Sequence, residues 1–278
     1  MHLPAPAKIN LSVKILGRRV DRFHEIETLM TPISLYDELT IEWDDRKSGV
    51  GFHCDDPALA TSTDNLVVRA AELFFERTKQ KSTVDITLKK KIPHGAGLGG
   101  GSSDAAATLL GLNRLFEINL SREELVDLAG QIGSDVPFFI YESAASCRGR
   151  GEIVVPTKLA KKLPILLLKP GFGVATPWAY SRWQDSRELP EISYAAQEFG
   201  DLRFVNDLER PVFEKFIFLA HLKMWLRKQP EVGAALLSGS GSTVFAVLKD
   251  SSAAGELANR ARTELDPELW TCACETTD

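Results

Sequence analysis

Residues 92–112 read IPHGAGLGGGSSDAAATLLGL. Gly95, Gly97, Gly99, Gly100 and Gly101 are packed together, Ser102 and Ser103 follow, and the run passes into an Ala/Leu-rich stretch of helical character. Glycine has no side chain to obstruct a tight curl, so the backbone can turn its N–H groups outward. The helix that follows adds unpaired N–H groups and the positive end of its dipole. Such a loop and helix start bind anions, phosphates above all. A Gly/Ser linker has a similar composition. This run, however, lies between a strand-like segment and a helical one, where a flexible joint has no obvious use.

The loop is not of the GxxxxGK[ST] type, because no Lys follows the glycines. Gly95, Gly97 and Gly100 satisfy GxGxxG. A dinucleotide fold then requires a second strand, ending in an acid about 20 residues on. Residues 113–135 instead read NRLFEINLSREELVDLAGQIGSD. Ser121 and Glu124 spell a capping box, and Leu125, Leu128, Ala129 and Ile132 recur at helical spacing. A helix is predicted where the strand would be, which argues against a dehydrogenase.

The 278 residues suffice for one large domain or two moderate ones. The 44% hydrophobic and 26% charged fractions are those of a globular protein. A net charge of −5 argues against broad nucleic-acid binding. The basic run Lys89, Lys90, Lys91 reads as a solvated strand end. No apolar stretch is long enough for a transmembrane helix, and the N-terminus lacks the pattern of a signal peptide. Cys54, Cys147, Cys272 and Cys274 are scattered, so a reducing, cytoplasmic setting is expected. Cys272 and Cys274 share one face of a strand and read as packing residues, not as a metal centre.

Strands are predicted at residues 7–15, 39–43, 84–88, 163–168 and 243–247, with a last one near Leu269. Helices are predicted at 66–78, where Asp64 is a candidate cap, after the glycine loop, through most of 206–228, and at 253–264. Strands and helices alternate without regular βαβ spacing, which favours a two-domain α+β protein divided near Thr157.

Three separated segments complete the picture: PAKINL at residues 6–11, the glycine loop, and LSGSGST at 237–243. Together they resemble the GHMP kinase superfamily. DRFHE at 21–25, DNL at 64–66 and GSDVPFF at 133–139 make the resemblance narrower. They are similar to the branch whose acceptor is the cytidine diphosphate derivative of methylerythritol. The resemblance spans nearly the whole chain. It implies a ribosomal S5-like nucleotide-binding domain over residues 1–157 and a ferredoxin-like, substrate-binding domain over 158–278. It also implies ATP-dependent phosphorylation of the acceptor's 2-hydroxyl in non-mevalonate isoprenoid synthesis, by a monomer or weak homodimer without nucleic-acid or membrane partners.

Phosphoryl transfer to an alcohol needs a cradle for the triphosphate, cations for its charge, and a group that takes the hydroxyl proton. Pro93, Gly95, Gly97, Gly99, Gly100 and Gly101 form the cradle, with Ser102 and Ser103 adding hydroxyls or merely capping the helix. Lys8 on its own reads as an edge-strand lysine facing water, and Asp135 as a turn residue. The resemblance makes them the catalytic pair, Asp135 as proton acceptor and Lys8 as the cation that fixes it. Asn10, Phe23 and His24 match positions on the cytidine diphosphate side, where a ring can stack on the base and His can bond its edge. Thr176 and Tyr180 are expected to close that side, although Phe23 and Tyr180 alone would read as core aromatics. Asn65 and Lys90 match positions near the adenine. Mg²⁺ is expected to arrive on ATP, with few protein ligands and no protein metal site.

The chain departs from its branch where Asp-Gly-Tyr-His becomes Asp21-Arg22-Phe23-His24, and where Arg148 and Arg150 replace smaller residues. Two alternatives stay open: another GHMP kinase, of homoserine or mevalonate type, and a non-catalytic nucleotide-binding homologue.

Overall fold

One long hairpin organises the first half of the chain: β1 (His2–Arg18) and β2 (His24–Trp43) pair antiparallel along their whole length. The coordinates form a computed structural model that describes all residues except 44–48, 61–64, 81 and 278. In β1, Ala7, Ile9 and Leu11 are buried on one face while Lys8 and Asn10 are buried on the other. Both faces being covered, the polar/apolar alternation of an open strand is muted. Register shifts fall between Pro6 and Ala7 and between Asn10 and Ser12. Bulges re-aim side chains, and these two bracket Lys8 and Asn10.

β3 (Val50–Cys54), the short helix α1 (Pro57–Ala60) and α2 (Leu66–Thr78) follow. Asp64, the candidate cap, lies outside the described residues; the Asn65 side chain caps α2, accepting from the Val67 N–H at 2.9 Å. Then come β4 (Val84–Lys89), α3 (Gly100–Leu115), α4 (Arg122–Ile132), α5 (Val136–Ile140), β5 (Ala145–Gly149) and β6 (Ile153–Pro156). The capping box is present at α4, with both Ser121–Glu124 bonds made. It occupies the place where a dinucleotide fold would put a strand.

Past Pro156 the chain enters a second sheet. The elements of this half are β7 (Pro164–Lys169), α6 (Thr176–Arg182), β8 (Gln197–Phe199), β9 (Leu202–Asn206), α7 (Glu209–Lys215), α8 (Ile217–Arg227), β10 (Val232–Leu237), β11 (Val244–Leu248), α9 (Ala254–Glu264) and β12 (Trp270–Glu275). The order β10-β11-β7-β12 is antiparallel throughout. With α7 and α8 after β7 and α9 before β12, this is a βαββαβ ferredoxin-like unit. β8 and β9 return to the first sheet, whose order is β3-β4-β2-β1-β9-β8, and β9 runs parallel to β1. The expected strand at 39–43 is therefore the end of a much longer one, and β3, β5, β6, β8, β9 and β10 are additional.

Apolar side chains gather in three places. One core packs α2, α3, α4 and α5 on the first sheet, and a second packs α6 to α9 on the other. The third lies between the sheets, where Ile9, Leu11 and Ile33 meet Leu167, Leu236 and Phe245. Sheet-to-sheet burial of this kind welds the two units through the hydrophobic effect. It sets β1 beside the 237–243 loop.

Candidate active site

A cavity of about 980 Å³ runs between the glycine loop and the tip of the β1–β2 hairpin. That suffices for a ligand of considerable size. Every residue singled out from the sequence lines it except Ser103.

At its centre Lys8 Nζ stands 3.4 Å from Asp135 Oδ2. The lysine side chain is 5% exposed and the carboxylate 39%. Lys8 Nζ also donates to Asn10 Oδ1 at 2.7 Å, Asn10 Nδ2 to Thr28 Oγ1 at 2.9 Å, and Thr28 Oγ1 to the Ser12 carbonyl at 2.6 Å. The ammonium is thus held by a bonded chain along β1 and β2, while Asp135 stays open to the cavity. Asp135 precedes α5, but its side chain makes no capping bond. Its side chain is therefore free of the cap role and faces the cavity. Its charge is felt by its neighbours: burial and then Asp135 push the Cys147 thiol up to about 12. The same two causes raise the Tyr180 phenol.

Lys8 is tied to the glycine loop in two ways. Its N–H donates to the Leu98 carbonyl at 2.9 Å. Its stem passes under Gly99, where an added Cβ would lie 3.0 Å from Lys8 Cγ and 2.9 Å from Phe139 Cζ. Gly99 has φ +71°, the left-handed region, and begins α3 without a side-chain cap. Gly97, at φ +73°, has no room for a Cβ either, because the Ser238 carbonyl would be 2.1 Å away. The uncapped start of a 16-residue helix, reached through a loop in which Gly97 and Gly99 have no space for a side chain, fits a polyphosphate. Ser102 lines the cavity; Ser103 Oγ is buried behind it without a partner.

The third motif, residues 237–243, braces this loop. Ser238 Oγ donates to the Gly97 carbonyl at 3.0 Å, Ser242 N–H to Gly95 at 3.4 Å and Thr243 N–H to Ala96 at 3.2 Å. Gly239 and Ser240 reach the cavity wall.

Lys90 corrects the solvated-strand-end expectation. Its ammonium is only 10% exposed, paired with Asp37 and, at 2.8 Å, with Asp104 Oδ2. Asp37 Oδ1 accepts from the N–H groups of Lys91 and Ile92 at 2.6 and 2.8 Å. Burial opposes the charge on Lys90, but Asp104 and Asp37 outweigh it and raise its pKa. Burial, with the Asp37 charge added and Lys90 opposing, lifts Asp104 to about 7. Sequence reasoning missed both carboxylates. Asp104 stood in plain view as the one charge in an Ala-rich helix start, whereas Asp37 carried no local signal. Asn65 is committed to its cap, so Asn65 and Lys90 present walls whose polar heads are already engaged.

At the far end, His24 lies 5.4 Å from the Tyr180 ring and 6.0 Å, edge-on, from Trp183. Burial, and then the Arg18 charge, lower the His24 pKa, which favours the neutral imidazole. Thr176 Oγ1 and Ser240 Oγ share a hydrogen bond of 2.7 Å. Phe23 is 50% exposed, and the Arg150 guanidinium sits 4.8 Å over its ring. Arg22 has φ +71°, so the position where the branch carries Gly keeps a glycine conformation. The turn survives the substitution, under strain.

A βαββαβ unit joined to a sheet-and-helix domain with a glycine loop at the seam defines a small-molecule kinase of the GHMP class. Residues 65–143 match the family model for the GHMP kinases N terminal domain, and residues 187–266 that for the GHMP kinases C terminal. Over 273 residues the chain is 42% identical to the 4-diphosphocytidyl-2-C-methyl-D-erythritol kinase of Methylacidiphilum infernorum (isolate V4), covering 96% of this chain and 93% of that one. It is 38% identical to the protein of the same name from Syntrophotalea carbinolica, covering 90% of each. A crystal structure of 4-(cytidine 5'-diphospho)-2C-methyl-D-erythritol kinase superposes with a TM-score of 0.79 at 34% identity over 100% of both chains. Homoserine kinase from Cytophaga hutchinsonii, at 18% identity and a TM-score of 0.71, shares the fold. The chain belongs to the GHMP kinases, in the family of the 4-diphosphocytidyl-2-C-methyl-D-erythritol kinases.

Proposed function

We propose that this protein transfers the γ-phosphoryl group of ATP to the 2-hydroxyl of 4-diphosphocytidyl-2-C-methyl-D-erythritol. The observation that carries this reading is the Lys8–Asp135 pair at 3.4 Å, which shares one cavity with an anion cradle and an aromatic pocket. In this reading Asp135 accepts the proton of the acceptor hydroxyl, whose oxygen forms the new bond to phosphorus as the bond to the ADP oxygen breaks. Lys8, fixed by Asn10, offsets negative charge at that point and holds Asp135 in line. The backbone N–H groups at the start of α3 meet charge on the phosphate oxygens, which is the main service a kinase renders to a loose transition state.

His24, Phe23 and Tyr180 are assigned to the cytidine end. A neutral His24 can donate and accept, as the edge of a base requires. Mg²⁺ is taken to accompany the triphosphate and to neutralise its charge; Ser102, at the helix start and on the cavity wall, would offer it a hydroxyl. Among the described residues no three His, Cys, Asp or Glu side chains gather into a protein metal centre.

The test is a panel of acceptors with ATP and Mg²⁺, read by ADP release. The cytidine compound should be consumed, and homoserine and mevalonate should be left almost untouched. Robust turnover of homoserine or mevalonate, with none of the cytidine compound, would sink the assignment.

A further inference from the structure

The 237–243 loop is gripped from behind by a buried polar network that phosphoryl transfer does not itself use. Lys223 on α8 pairs with Glu209 at the start of α7, and both side chains are 1% exposed. Lys223 Nζ also donates to the Ser193 carbonyl at 2.9 Å. The second carboxylate oxygen, Glu209 Oε1, accepts from the Leu237 N–H at 3.1 Å. Asn206, at the end of β9, donates through Nδ2 to the carbonyls of Leu237 at 2.8 Å and Gly239 at 2.7 Å. Its Oδ1 accepts from the Leu208 N–H at 2.9 Å, which fixes the amide's orientation.

Those bonds converge on the backbone of one loop, and that loop holds the carbonyls of Gly95, Ala96 and Gly97. It also abuts the catalytic pair. A Cβ added to Gly239 would be 3.2 Å from Asn10 Oδ1 and 3.5 Å from Lys8 Nζ. As a stabiliser, a fully buried ion pair is weak, because desolvation offsets the attraction and apolar replacements are often neutral. What it does well is pin a carboxylate oxygen in one place.

We propose that Asn206 and Glu209 are positioning residues for the nucleotide: they set the 237–243 loop, and through it the glycine loop, while Lys223 neutralises the buried Glu209 carboxylate. The proposal rests on the kinase reading in taking the glycine loop as the ATP cradle. Lys223 acts on Glu209, Glu209 and Asn206 act on the loop, and none of the three lines the cavity.

Two double substitutions in the full chain separate positioning from plain stability. Glu209→Gln with Lys223→Met removes both charges but leaves an oxygen to accept from Leu237. Glu209→Leu with Lys223→Met removes that acceptor as well. Calorimetry with MgATP and no acceptor should give a Kd within about twofold of wild type for the first, and weakened about tenfold for the second, as for the loss of one buried hydrogen bond. A purely structural network would change the melting temperature and leave both Kd values alone. Asn206→Asp loses the two donations to the loop while keeping the bond to Leu208, and should weaken MgATP by a similar factor. It carries the test if the Leu/Met variant does not fold. Folded Leu/Met or Asn206→Asp protein that binds MgATP as wild type does would overturn the proposal, and so would equal weakening of the two doubles. Wild-type protein that binds no MgATP at all would overturn the kinase reading and this inference together.

Discussion

Two buried lysines line the same cavity, and their surroundings differ in one respect. Lys90 is closed between Asp37 and Asp104, whose side chains are 0% and 2% exposed. Lys8 faces a single carboxylate, Asp135, that is open to the cavity. The first arrangement satisfies its charges internally, and what it holds is structure: β2, the end of β4 and the start of α3. The second leaves a carboxylate able to meet a ligand. A buried ion pair becomes chemistry when one partner remains accessible. Burial of the ammonium alone does not distinguish the two.

The largest expected effect separates the pairs on the rate axis. Asp135→Asn keeps the shape and removes the base, so it should fold, bind both substrates and turn over about 10²–10⁴-fold more slowly. Lys8→Met should show a similar defect, and the double variant should be little worse than either, because the two act as a unit. Steady-state kinetics on the three variants decides it. A multiplicative loss in the double would mean that they act separately.

Lys90→Met should act on stability instead. It leaves the buried Asp37 carboxylate without its counter-charge, a loss of about 3–5 kcal/mol for breaking a buried pair. Urea unfolding would show it. Unchanged stability would mean that the triad is not the anchor described above.

Asp104 gives the same region a pH signature. Raised to about 7 by burial and by Asp37, it holds a proton in the folded protein that the unfolded chain has already released. Its contribution to stability is therefore complete below the ordinary carboxylate range, is lost as pH climbs to about 7, and is gone above that. Asp104→Asn should flatten the stability profile between about pH 4 and 7, as melting temperatures across that range would reveal. An unchanged slope would show that another group titrates there.

On the acceptor side, Phe23→Ala should weaken the cytidine compound by about 1–3 kcal/mol and leave MgATP binding alone, by calorimetry with each ligand. Phe23→Tyr should be tolerated. If Phe23→Ala unfolds the protein and the surviving molecules bind normally, the ring is core. The smallest effect belongs to Arg22→Gly. It relieves a left-handed arginine and should stabilise by up to about 1 kcal/mol, less the added entropy of the unfolded chain. A loss of stability would mean that the Arg22 side chain supplies compensating contacts.

How much of this was legible in the sequence follows the range of the interactions. The glycine loop, α3 and α4 could be read because their signals are local: the run of glycines, helical spacing, and the Ser121–Glu124 box. β2 could be read only at its end, because the polar residues Thr28, Thr31 and Asp37 occupy buried positions and break the apolar alternation. β8 and β9 are too short to carry a period. Lys90 was taken for a solvated residue because its partner Asp37 is remote along the chain. Lys8 and Asp135 could not be told from an edge-strand lysine and a turn residue by spacing; the resemblance named them, and the fold brings them to 3.4 Å.

The central claim is that the open carboxylate beside Lys8 performs the proton transfer in phosphorylation of the cytidine compound. Single-turnover rapid quench on Asp135→Asn, saturated with MgATP and that acceptor as verified by calorimetry, tests it most directly. Normal affinity for both ligands and a chemical step slowed at least about 10²-fold are expected. A step at the wild-type rate in fully loaded Asp135→Asn protein would contradict it and return Asp135 to the role of a turn residue.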